Sequence, residues 1–415
     1  MPAELAVQER AVAGRWRVLA LLAAAELLAM TLWFSATAVA PQLAERWELG
    51  TAGTAWLTMA VQLGFVAGAL ASAALSLADL WPARRLFAAA AALGALLNGL
   101  LVLAPGAGSA FALRFGTGVL LAGVYPPAMK MVATWFRADR GLAIGVLVGA
   151  LTIGSAAPHL VRAFASWAWQ GVVLASSACA LVAAALVGFG YRDGPFAFPQ
   201  PPFSLRHITR VVRVREYRLA TFGYLGHMWE LYACWALVAL FFRDVFEAAG
   251  AVGEVAAARA AVVAFAVIAV GGAGAALAGQ WADRLGRERI TIWSMAASGA
   301  CALVIGWLAP LPAWALVGVA LVWGFAVVAD SAQFSALVTE VAPRDAVGTA
   351  LTLQTSLGFL LTAGTIWLAT ATSSRFGWGA AFSLLAVGPA LGIAAMARLR
   401  AVRSGAASGS VVVRS

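Results

Sequence analysis

The stretch that decides the fold is Gly279-Gln-Trp-Ala-Asp283-Arg284-Leu-Gly286-Arg287-Glu-Arg289, at the end of a long apolar run. Glycine has no side chain to separate two helices, so their backbones can approach closely. The aspartate and the arginines that follow place a carboxylate beside positive charges at a helix end. Ion pairing there can hold one face of a helical protein shut. We therefore interpret Asp283, Arg284 and Arg287 as parts of a gate.

A degenerate copy of this stretch lies 204 residues earlier. Leu75-Ser-Leu-Ala-Asp79-Leu-Trp-Pro82-Ala-Arg84-Arg85 keeps the aspartate and basic residues but lacks both glycines, and we assign Asp79 and Arg84 to the same gate. Two further pairs share the offset of 204: Glu26-Leu-Leu-Ala with Glu230-Leu-Tyr-Ala, and Arg140 with Arg344. These matches predict a duplicated unit with both copies running in the same direction, related by a pseudo-two-fold axis along the membrane normal.

The composition places this duplicated unit in a membrane. Of the 415 residues, 63% are hydrophobic and 11% are charged, against roughly 45–50% and 25% in soluble domains. About 20 apolar residues are needed to cross a bilayer. We predict an all-α membrane protein of twelve transmembrane helices in two pseudo-symmetric six-helix bundles, with spans at 18–40, 52–78, 86–104, 109–134, 142–161, 171–190, 218–242, 257–279, 290–309, 313–337, 347–371 and 379–397.

The arginines predict the orientation. With the N-terminus in the cytoplasm, the inside segments hold 21 arginines and the outside segments hold five. This bias predicts a multi-pass inner-membrane protein with both termini cytoplasmic, and it explains the net charge of +10 without nucleic acid. The predicted organisation is an N-terminal bundle (1–190), a proline-rich basic linker (191–217), a C-terminal bundle (218–397) and a tail (398–415).

No sequence pattern points to an enzyme. The chain lacks the G-x-x-x-x-G-K-[ST] phosphate loop, the H-E-x-x-H zinc motif and a nucleophile elbow. Its three cysteines have no metal-ligand spacing. We expect no catalysis, cofactor or metal, and a monomer is the simplest expectation.

Three motifs carry a family resemblance. Gly279 to Arg289 resembles the cytoplasmic-loop signature of the major facilitator superfamily. Arg114-Phe-Gly116-Thr-Gly118, with Gly123, resembles its fourth-helix pattern, and Gly145 to Pro158 resembles its glycine-rich fifth helix. The stretch from Val124 to Gly145 is also similar to the nitrate/nitrite porter and cyanate-type permease branch. The paired arginines that bind nitrate there have no counterpart, since spans 52–78 and 257–279 contain only Arg259.

The resemblance implies that helices 1, 4, 7 and 10 line a central cavity, and each of these spans carries at least one charged residue. Charged groups in the bilayer are costly and mark functional or paired sites. The candidates for substrate binding and coupling are Glu26, Arg114, Tyr125, His227, Glu230, Asp330 and Gln333. Arg114 and Tyr125 are eleven residues apart, which predicts a shared helix face. The alternative is that Glu26 and Glu230 are structural locks paired with Arg114 or a backbone group, which leaves Asp330 as the proton carrier.

The sequence therefore favours a secondary transporter that moves a small, anionic solute by alternating access with proton coupling. The partners would be the substrate, protons and the lipid bilayer. Proton-coupled efflux of a drug or metabolite is an open alternative. A non-transporting scaffold or sensor on the same fold is the rival of a different class, and a cavity between the halves would count against it.

Overall fold

The computed structural model describes residues 13–75, 77, 81–136, 139–164, 168–196 and 205–412, and these contain helices and no strand. The long helices follow the predicted spans. In the first half they are α1 (Arg15–Met30), α2 (Ala40–Arg46), α3 (Thr51–Ala74), α4 (Ala83–Leu100), α5 (Ala107–Leu121), α6 (Tyr125–Ala133), α7 (Arg140–Phe164) and α8 (Trp169–Gly190).

The second half begins after a short linker helix, α9 (Leu205–Arg213). Its helices are α10 (Arg215–Ala248), α11 (Glu254–Leu285), α12 (Arg287–Ile305), α13 (Ala313–Ala329), α14 (Ser331–Val341), α15 (Val347–Leu385) and α16 (Val387–Val412). Helix α15 has a kink at Gly377, where φ is 81°. The last helix continues past residue 397, where we predicted the tail to begin.

Nine helical stretches in the described part of the chain are long and apolar enough to cross a membrane. The all-α membrane class is confirmed, and the count of twelve stays a prediction. The difference between twelve predicted spans and nine stretches has three local causes. Helix α1 ends at Met30, α12 begins with Arg287-Glu-Arg289, and the last two spans form one stretch from Arg344 to Ser404.

Two spans predicted as continuous helices are broken near the same depth. In the first half, α5 ends at Leu121 and α6 begins at Tyr125, with the proline pair Pro126-Pro127 in its first turn. Proline has no amide proton to donate, so it suits a helix start and breaks a helix interior. In the second half, Asp330 lies between α13 and α14. The breaks place Tyr125 and Asp330 at the centre of the molecule.

The two halves meet along two helix pairs, α7 with α11 and α3 with α15. Gly149 and Gly272 face each other in the first pair, where a β-carbon on either would lie 3.1 Å from the other's carbonyl oxygen. In the second pair, the rings of Phe65 and Phe359 are 4.4 Å apart. We call the end of the bundle that carries Arg210 and Arg403 the basic end, and the other the opposite end.

Candidate functional site

A central cavity of about 80 Å³ lies between the halves. The breaks in the fourth and tenth spans and the middle of α10 contribute to its wall. Aromatic and hydroxyl side chains dominate the lining, which includes Trp33, Phe65, Tyr125, Thr152, Tyr224, His227, Tyr232, Trp235, Ser331, Ser335, Thr355 and Phe359. Of the predicted site residues, the structure brings Tyr125 and His227 to this wall. Sequence reasoning missed most of the aromatic side chains, because aromatic residues also face lipid throughout such a chain.

An aromatic cluster covers the cavity on the side of the opposite end. The centroid of the Trp33 ring lies 5.1 Å from that of Phe65, 5.6 Å from that of Tyr232 and 5.4 Å from that of Phe359. The cluster therefore joins the two halves, since Trp33 and Phe65 belong to the first half and the other two rings to the second. Both Trp33 and Trp235 have buried indole nitrogens with no hydrogen-bond partner among the described residues. Two N–H donors at the cavity are therefore available to an acceptor.

His227 and Asp330 form a buried pair at the cavity wall. His227 Nδ1 lies 2.9 Å from Asp330 Oδ1, and their side chains are 2% and 1% exposed. The other ring nitrogen, Nε2, lies 2.9 Å from the hydroxyl of Ser331, which completes its contacts. The pair joins α10 to the break between α13 and α14. The two atoms are close but do not form a regular hydrogen bond, since Asp330 Oδ1 has no hydrogen-bond partner among the described residues.

Gln333 lies away from the Asp330 carboxyl, although the two are three residues apart. Its Oε1 accepts a hydrogen bond from Arg287 Nη1 at 2.7 Å, which draws the side chain towards the basic end.

Arg114 does not line the central cavity, contrary to our expectation from the sequence. The helix break after Leu121 separates Arg114 from Tyr125, so the eleven-residue spacing does not place them on one face. Arg114 is fully buried and donates to the carbonyl oxygens of Trp33 and Leu32, the latter at 2.9 Å. It also donates to Ser35 and Asn98, each at 3.0 Å. The guanidinium therefore binds the non-helical segment 31–36, where the first span breaks.

Glu26 and Glu230 occupy matching positions in different surroundings. Glu230 accepts hydrogen bonds from Ser298 Oγ at 2.8 Å and Trp323 Nε1 at 2.7 Å, as a structural lock would. Glu26 is fully buried, and neither carboxylate oxygen has a partner among the described residues. The residues 204 positions before Ser298 and Trp323 are Gly94 and Val119, whose side chains cannot donate. The lock is therefore present in the second half and absent from the first.

This asymmetry predicts that two matched substitutions affect stability to different extents. Glu230→Gln should lower the free energy of unfolding by about 1–3 kcal/mol, because an amide cannot accept both hydrogen bonds as well as the carboxylate does. Glu26→Gln should leave it unchanged within about 1 kcal/mol, since no bond is lost. Thermal unfolding of the two purified variants in one detergent checks the prediction, and equal losses would contradict it.

A charged network lies at the basic end, within the second half. Arg287 Nε donates to Glu340 Oε1 at 2.8 Å and its Nη2 lies 3.7 Å from Asp283 Oδ1. Arg403 donates to Glu288 at 2.6 Å and to Glu340 at 3.0 Å. Sequence reasoning missed Glu288, Glu340 and Arg403, although charges at span ends were a signal for them.

The carboxylate of Asp283 crosses to the other half. A β-carbon on Gly141 would lie 3.0 Å from Asp283 Oδ2, so the carboxylate faces the first turn of α7. The positive end of a helix dipole stabilises a carboxylate in that position. Arg84 donates to the carbonyl oxygen of Tyr191 at 3.4 Å. Asp79 lies outside the described residues.

A larger cavity of about 260 Å³, which we call the vestibule, lies between the halves at the opposite end. Its walls come from α2, α3, the end of α7, α10, the start of α11 and α15, and they include Gln42, Thr54, His159, Arg162, Leu237, Leu240, Arg243, Glu254 and Ile366. Ala236 and Leu237, which adjoin the aromatic cluster, form part of its floor.

Comparison with known proteins agrees with this architecture. The sequence model described as "Major Facilitator Superfamily" matches residues 22–366. No curated protein sequence matches the chain. The fold is similar to the solved structure described as "Crystal structure of the human organic anion transporter MFSD10 (TETRAN)", with a TM-score of 0.69 and 14% sequence identity over 92% of this chain and 99% of that one.

Proposed function

Because the chain belongs to the major facilitator superfamily, we propose that it is a proton-coupled secondary transporter for a small organic solute that carries an acidic group. The buried His227–Asp330 pair at the wall of the central cavity carries the proposal. The proton would bind to this pair on one side of the membrane and leave it on the other, as the halves alternate around the cavity.

The lining of the central cavity supports the substrate class. The unpartnered indole N–H groups of Trp33 and Trp235 can donate to a carboxylate, and His227 supplies a positive charge when it is protonated. The aromatic rings suit the apolar body of the solute. The cavity must widen to admit it, because pockets for drug-sized ligands occupy about 300–1,000 Å³. The solved relative is named an organic anion transporter, but at 14% identity the likeness is one of fold, so the proposal rests on these residues.

The aromatic wall also supports a second candidate, proton-coupled efflux of an apolar drug or metabolite through the same cavity. Efflux and import differ in the direction of transport, but both would use the same cavity and the same His227–Asp330 pair. A scaffold or sensor would need neither a central cavity nor a His–Asp pair at its wall.

The charge distribution supports the orientation. With the basic end in the cytoplasm, the approach of Asp283 to Gly141 would hold the halves together at the cytoplasmic face, and the vestibule would face the outside. Loss of the contact between Asp283 and the first turn of α7 would then accompany opening to the cytoplasm. Both chain termini would be cytoplasmic in an inner membrane.

The proposal is tested with the wild-type protein in proteoliposomes and an imposed pH gradient. A panel of aromatic and aliphatic carboxylates is compared with their neutral amides and with amphiphilic cations. We expect carboxylate-dependent proton movement that a protonophore abolishes. Proton movement with the cations alone would favour drug efflux and overturn the anionic substrate. Transport of carboxylates that ignores the pH gradient would overturn proton coupling.

A further inference from the structure

Arg162, in the vestibule, is a buried cation held by an exposed anion. Its guanidinium pairs with the carboxylate of Glu254, and the side chains are 10% and 73% exposed. Arg162 lies near the end of α7 and Glu254 begins α11, so the ion pair bridges the two halves. A buried guanidinium needs a compensating charge. The carboxylate of Glu254 can leave towards solvent far more easily than Arg162 can.

His159 lies one helical turn before Arg162 and lines the same cavity. Its side chain is almost completely buried, and Nε2 has no hydrogen-bond partner among the described residues. A buried polar nitrogen without a partner is unfavourable. The vestibule therefore holds a ring nitrogen without a hydrogen-bond partner, beside an arginine whose anion is replaceable.

One wall of the vestibule suits the apolar body of an organic molecule, whereas Gln42, Glu45 and Arg243 make other parts of its lining polar. Leu237, Leu240 and Ile366 supply apolar surface on α10 and α15, across from α7. The volume of about 260 Å³ is slightly below the usual range for drug-sized ligands, and therefore suits a metabolite-sized molecule. The aromatic cluster around Trp33 lies between the vestibule and the central cavity, so the two spaces are separate in this conformation.

We propose that the vestibule is a second binding site, which takes an organic carboxylate with a compact apolar body. The carboxylate replaces Glu254 on Arg162 and accepts a hydrogen bond from His159 in the tautomer that carries its proton on Nε2. The apolar body packs against Leu237 and Leu240. Because the displaced Glu254 no longer ties α11 to α7, binding also loosens the contact between the halves at this end. Binding at this site does not depend on the proposed function; only the later passage of the solute to the central cavity rests on it.

Equilibrium binding of benzoate to the purified full-length protein tests this site without any transport, with benzamide as the uncharged control. We expect calorimetric titration to detect benzoate and not benzamide. Arg162→Gln should weaken benzoate binding at least about tenfold, which corresponds to about 1.4 kcal/mol. Glu254→Gln should strengthen it several-fold, because the competing carboxylate is gone. Arg259→Gln, an exposed arginine on the same α11 that does not line the vestibule, should leave the affinity unchanged.

The two substitutions are expected to change the affinity for benzoate in opposite directions. Glu254→Gln therefore still tests the proposal if Arg162→Gln does not fold. If Glu254→Gln weakens benzoate binding or leaves it unchanged, Glu254 does not compete for the site and the proposal is wrong. His227→Gln identifies the cavity: benzoate binding that is lost there but kept in Arg162→Gln belongs to the central cavity and overturns the vestibule site. Benzoate binding that depends on Arg162 in a protein showing no proton-coupled transport would support the vestibule site and overturn the proposed function alone.

Discussion

Replacement of Asp330 by asparagine is expected to abolish proton-driven accumulation of the solute while exchange of solute for solute continues. Asparagine keeps the size of the side chain and its contact with His227, but it cannot bind and release a proton at neutral pH. The loss should be complete, because Asp330 contacts His227 of the cavity lining, whereas Glu230 is hydrogen-bonded to Ser298 and Trp323, which do not line the central cavity. Proteoliposomes with an imposed pH gradient measure accumulation, and preloaded vesicles without a gradient measure exchange.

Two further variants test whether the loss of accumulation in Asp330→Asn arises from the His227–Asp330 pair. His227→Gln removes the partner and should also abolish accumulation, since the remaining carboxylate is buried without a cation. Glu26→Gln is the matched control, because it replaces a buried carboxyl that does not itself line the central cavity and whose oxygens have no hydrogen-bond partner among the described residues. Full proton-driven accumulation by Asp330→Asn would show that another group carries the proton. If Glu26→Gln alone lost accumulation, Glu26 would be that group.

The membrane class followed from the sequence because it depends on properties that are local along the chain. Apolar runs of about 20 residues predict spans regardless of what they pack against. The offset of 204 residues, shared by Glu26 with Glu230 and by Arg140 with Arg344, predicted the duplication from positions alone. The family resemblance assigned the helices of Tyr125 and His227 to a central cavity, and both residues line that cavity in the structure.

The helix breaks and the pairings depend on contacts between distant residues, and sequence periodicity does not contain them. The first span ends at Met30 in the structure, where the carbonyl oxygens of Leu32 and Trp33 bind Arg114 on another helix. The pairing of His227 with Asp330 joins residues 103 positions apart. The difference between Glu26 and Glu230 depends on donors from two other helices, so identical motifs acquired different surroundings.

Arg114→Met is expected to cause the largest loss of stability in the protein. The substitution removes the donors to Leu32, Trp33, Ser35 and Asn98, and it leaves buried acceptors on the non-helical segment without partners. Hydrogen bonds from a charged group contribute about 1.5–3 kcal/mol each, so the total loss should be on the order of 4 kcal/mol or more. The apparent melting temperature in detergent should fall by about 10 °C. Arg114→Lys keeps the charge without the planar fork and should recover only part of the loss.

The same variants separate the structural role of Arg114 from the anion-binding role that the sequence predicted. A folded Arg114→Met with an unchanged melting temperature and a selective loss of carboxylate transport would return Arg114 to the binding site.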